Sequence, residues 1–143
     1  MQQQQLIYST FYKAQDRFLA CDVVEGYEPS TVQSYIDCSL ELALQYEKDS
    51  EHENILLCEL FLRQLFFHLI EAIESPQRSL TFRRVCLDLI HTPLFCLKRH
   101  YYQQPNGKHK YLPLQQTLQQ VQAPQRLPAL SINATLVLFQ QTQ

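Results

Sequence analysis

Arg84, Asp88 and His91 stand at i, i+4 and i+7, a spacing that sets all three on one face of a helix. A carboxylate beside an imidazole fixes its tautomer and raises its basicity, which general acid–base chemistry needs. An arginine alongside can hold a phosphate or an oxyanion. The same spacing also makes an ordinary salt-bridged helix face. Arg84, Asp88 and His91 are therefore an alternative catalytic set, and no residue is assigned to catalysis outright. Metal chemistry in a helical core draws on Glu plus Glu-x-x-His pairs from facing helices. Here Asp49–His52 and Asp88–His91 each give Asp-x-x-His, the first in a turn, and no metal or cofactor is expected. A nucleophilic cysteine needs a thiolate beside a base. Cys86 precedes His91 by five residues, which turns the two about 140° apart on a helix.

Arg63 with His68 is an Arg-x4-His, and Arg84 with His91 an Arg-x6-His. Both resemble the signature of the HEPN superfamily, helical bundles that include ribonucleases using such an Arg and His. The resemblance implies RNA cleavage as the alternative activity. The first pair has strongly apolar flanks, and in the second Val85 stands where the family usually has a polar residue. His68 reads more simply as a core-edge histidine satisfied by Gln64 or Glu71 at i−4 and i+3.

The elements that must position these residues are helices. The chain has 143 residues and only two glycines, Gly26 and Gly107. Neither a GxGxxG nor a Walker A loop can be written from two glycines, and a β-rich fold would need more tight turns. At 45% hydrophobic the chain is too apolar for disorder. The expectation is one soluble, mainly α domain: an antiparallel four-helix bundle over residues 1–104, with a small extension, 105–143, packed on it.

Ile7, Phe11, Ala14, Phe18 and Cys21 form the stripe of a first helix from about Gln3 to Cys21. Ser30 with Gln33 reads as a capping box opening a second helix to about Lys48. A third runs from Ile55 to about Ser75, before Pro76. Ser79 can cap a fourth, Leu80 to about Tyr102, kinked or split by Pro93. Asn106-Gly107 between Tyr101-Tyr102 and Tyr111-Leu112 suggests a short hairpin. Pro113 to Pro124 suggests a short amphipathic helix, and the alternation of residues 127–139 suggests a strand.

No basic, apolar leader opens the chain, and the most apolar stretch, Ile55 to Ile73, carries Glu59, Arg63 and Glu71, so neither a secretory signal nor a membrane span is expected. Five cysteines without a CxxC read as reduced thiols. The expected location is the cytoplasm.

Two features point to partners. On the third helix, Ile55, Cys58, Leu62, Leu65, Phe66, Leu69, Ala72 and Ile73 make a broad core side, while Leu56, Leu60 and Phe67 cluster elsewhere. Either the C-terminal segment covers that second face, or it meets a partner protein or a second copy of the chain. Charge is also divided: residues 1–75 hold 13 acidic and 4 basic residues, and residues 76–143 hold 1 and 8, a split of −9 against +7. The densest basic and aromatic run is Lys98, Arg99, His100, Tyr101 and Tyr102, then Lys108, Lys110 and Tyr111. It can be neutralised inside the bundle, steer an acidic protein, or bind nucleic acid with stacked tyrosines. The favoured function is a small accessory protein (adaptor, chaperone-like or regulatory) that acts by protein–protein interaction. Binding or cleavage of RNA through the basic half is the alternative.

Overall fold

The helix-period stripes become six helices in the computed structural model, which describes residues 2–137 and, of these, side chains as far as residue 123. They are α1 (Gln2–Leu19), α2 (Glu28–Leu44), α3 (Ile55–Glu74), α4 (Leu80–Leu89), α5 (His91–Tyr102) and α6 (Lys108–Val137). The architecture is mainly helical and bundle-like, and no strand occurs among the described residues.

Local chemistry explains most of the boundaries. Asn54 takes the extended conformation of an N-cap and its side chain accepts from the Leu57 N–H at 3.1 Å. Ser79 does the same for Phe82, also at 3.1 Å. α2 starts two residues before the anticipated capping box. Tyr27 is its N-cap without a side-chain bond, and Pro29 lies in the first turn, where its fixed φ suits a helix and its missing N–H costs nothing. α2 also stops at Leu44 rather than near Lys48, and the loop that follows holds Asp49 at φ 68°. Pro93 splits the anticipated fourth helix at Ile90, because proline cannot donate the i→i−4 bond of a continuous helix.

The hairpin does not form. Tyr111, Leu114, Leu118 and Val121, all buried, lie at i, i+3, i+7 and i+10, the stripe of a helix packed on the core. Asn106, at φ 61°, turns the chain between two helices instead of two strands. The short helix expected from Pro113 to Pro124 is likewise part of α6, and the backbone stays helical to Val137 where a strand was expected. A strand needs a neighbour for its hydrogen bonds, whereas a helix satisfies its own. The last residues of that anticipated strand, 138 and 139, lie outside the described residues.

α3 is the central element, packed against α2, α4, α5 and α6. α1 lies on α2 and reaches α3 through the edge-to-face rings of Phe11 and Phe61. Leu65, Phe66, Leu69 and Ile73 are fully buried, joined by Phe61 and Ile70, which are not among the residues expected on the core side. Two arginines fasten helix ends. Arg78 donates to the carbonyls of Phe18 (2.6 Å) and Ala20 (2.8 Å) at the end of α1, its guanidinium 4.3 Å from the centre of the Phe82 ring. Arg83 donates to the Ile73 carbonyl at 2.8 Å, near the end of α3. Cations belong there, where unpaired carbonyls gather negative charge.

Candidate interaction surface

Leu56 and Leu60 lie one turn apart on the outward face of α3, 76% and 54% exposed. Phe67 continues their stripe but is half-buried, packed against the core with the Arg63 guanidinium 5.3 Å from its ring centre. On one side of the stripe Gln64 accepts from Gln15 of α1. On the other, Tyr101 of α5 donates to Glu59 at 2.6 Å and accepts from Arg63 at 3.1 Å. The flanking helices thus hold the edges of the face and leave its leucines in water. The described part of the C-terminal segment does not cover them.

The basic and aromatic run divides between surface and core. Lys98, Arg99, Tyr102, Lys108 and Lys110 are exposed, whereas His100, Tyr101 and Tyr111 are buried. Residues on one helix must face different ways, so this run is not one continuous patch. Burial pushes the Tyr101 hydroxyl up to about 12, with its bond to Glu59 adding to the effect. Burial also holds His100 below its ordinary range, against the opposing pull of Glu59, and its ring meets the Gln104 amide at 3.0 Å. Lys98 places its ammonium 5.6 Å from the Tyr102 ring centre and 5.9 Å from that of Tyr111. Among the described residues one ion pair joins Lys or Arg to Asp or Glu, Arg99 with Glu47 at 4.0 Å. Direct pairing therefore does little to cancel the charge split.

The alternative catalytic residues are not brought together. Arg84 and Asp88 are exposed on α4, His91 is exposed at the start of α5, and no hydrogen bond or ion pair links them among the described residues. Arg63 and His68 also diverge: Arg63 turns to Tyr101 of α5, and His68 meets the Tyr35 hydroxyl of α2 through Nδ1 at 2.5 Å. Tyr35, neither Gln64 nor Glu71, is the partner of His68, whose pKa burial lowers while Glu71 opposes. No group of three or more His, Cys, Asp or Glu side chains suited to a metal occurs among the described residues.

Burial raises the Cys58 thiol to about 11 and that of Cys86 to about 12, so both stay protonated at neutral pH. Cys21, read as part of the α1 stripe, is exposed, because α1 has ended at Leu19.

Sequence reasoning passed over Phe95, which is 63% exposed on α5 beside Lys98. Its signal was a phenylalanine at i+4 from His91 and three residues before Lys98, on the polar side of a helix whose core side carries Leu94, Leu97 and Tyr101. No helix among the described residues is long and apolar enough to cross a membrane. No protein-family model, curated protein or solved structure matches the chain.

Proposed function

We propose that the chain is a small accessory protein of the cytoplasm, an antiparallel helical bundle extended by α6, that works by binding another protein or a second copy of itself. The observation that carries this reading is the pair Leu56 and Leu60, exposed on the most apolar helix of the chain. Exposed leucines one turn apart, continued by Phe67, offer the i, i+4 anchors that a partner helix uses. Water around that surface favours its burial by about 25 cal/mol per Å2 of apolar area. The cations Lys98, Arg99, Lys108 and Lys110 would speed encounter with an acidic partner more than they would strengthen the final contact.

The double substitution Leu56→Ser with Leu60→Ser tests it. Both side chains already lie in water, so the unfolding free energy should stay within about 0.5 kcal/mol of the wild type for each change. Sedimentation over a range of concentrations, with capture from the cells that make the protein, should show self-association or a stoichiometric partner lost in the variant. Associations that survive the double change would overturn the reading.

A further inference from the structure

Helices α5 and α6 leave an open groove between them of about 310 Å3. Leu94, Leu118 and Tyr111 form its buried floor and the exposed Phe95 its wall, with His91 and Lys98 at the edge. Gln115, Gln119 and Gln122 add neutral donors and acceptors along α6, and no acidic residue lines the groove. Lys98 is the one lysine or arginine in its lining. Lys108 and Lys110 stand exposed at the start of α6, whose first turn has no acidic residue to offset its N-terminal partial charge. Across residues 76–143 Asp88 is the sole acid.

We propose that this groove is the docking site for an acidic amphipathic helix of another protein. A third helix laid along two packed ones would set large apolar side chains against Leu94, Phe95 and Leu118. Its carboxylates would then face Lys98. The proposal rests on the reading that this chain acts by binding a protein, but it uses a surface separate from Leu56 and Leu60. Charge complementarity selects the occupant. Residues 127–143 of this chain contain no acidic residue, so charge does not draw them into the groove. Nucleic acid is served less well: the Tyr102 and Tyr111 rings meet edge to face at 5.8 Å beneath the Lys98 ammonium, which takes the ring faces that bases would stack on.

The test uses the full chain and a fluorescent synthetic peptide of about 18 residues, with glutamates on one helical face and Leu and Phe at i, i+3, i+4 and i+7 on the other. Anisotropy should show saturable binding that weakens as salt rises. Phe95→Ser and Lys98→Glu, both at exposed positions, should each weaken it about tenfold or more, with circular dichroism unchanged. A peptide with glutamine in place of glutamate should bind less tightly. In 15N-labelled protein the shifts should fall on the groove residues of α5 and α6. Absence of binding, equal binding by both variants, or tighter binding of a uridine-rich RNA of about 12 nucleotides would overturn the proposal. Shifts on Leu56 and Leu60 would also overturn it while leaving the α3 reading intact, so the two readings fail separately.

Discussion

His68 and His100 are imidazoles that packing, rather than a charged partner, has tuned. Each has one neutral hydrogen-bonding neighbour, Tyr35 for His68 and Gln104 for His100. Burial lowers both pKa values from 6.5; Glu71 opposes this at His68, while Glu59 opposes and Lys110 reinforces it at His100. The unfolded chain therefore takes up protons before the folded one does. Stability is held above about pH 6.5 and falls as the pH drops through that value. Urea unfolding at about pH 7.5 and about pH 5.5 should show a lower midpoint at the acid pH. His68→Gln and His100→Gln should each remove part of that difference, and a difference untouched by both would refute the assignment. Neither tuning was legible in the sequence: Gln104 stands four residues after His100, but Tyr35 reached His68 from another helix, and the burial of both rings was decided only when the helices packed.

Helix ends and turns are where the elements are joined, and Gly107 is the tightest joint. A Cβ there would run into the carbonyl oxygen of Tyr101, a backbone atom that cannot rotate away. Gly107→Ala should therefore force α5 and α6 apart and cost on the order of 1–3 kcal/mol, read by thermal unfolding. Gly26→Ala makes the useful contrast. Gly26 has open space around it but a φ of 97°, so its cost of about 1–2 kcal/mol comes from backbone strain alone and should leave the α5–α6 contact unaltered. Asn106-Gly107 was visible as a turn from its composition. That it joins helices was not, since the same left-handed backbone serves a hairpin or a helix end. The burial of Tyr101 and Tyr111 on either side decided the matter.

Charge is organised over the whole molecule in a way its net value of −2 hides. Three basic residues of the second half are spent on neutral partners: Arg78 and Arg83 on helix-end carbonyls, Lys98 on tyrosine rings. Because one exposed Arg–Glu contact is the ion pair joining the halves among the described residues, salt should matter little to folding. Raising NaCl from about 0.05 to 0.5 M should change the unfolding free energy by less than about 1 kcal/mol. A loss several times larger, measured by denaturant titration, would mean that the acidic and basic halves hold each other together.

The helical class, the stripes of α1 and α3, the Ser79 cap and the split at Pro93 followed from residue order alone, because spacing, caps and proline act within one or two turns of backbone. Which stripes would be covered did not follow. Leu56 and Phe67 were equivalent on a helical wheel, yet one stands in water and the other is half-buried beneath Arg63. Tyr101 read as part of a basic surface and lies in the core between Glu59 and Arg63. Arg84, Asp88 and His91 read as one face, and all three stand exposed with no hydrogen bond or ion pair between them among the described residues. Burial is a property of two surfaces meeting, so it was decided only when α3, α5 and α6 packed together.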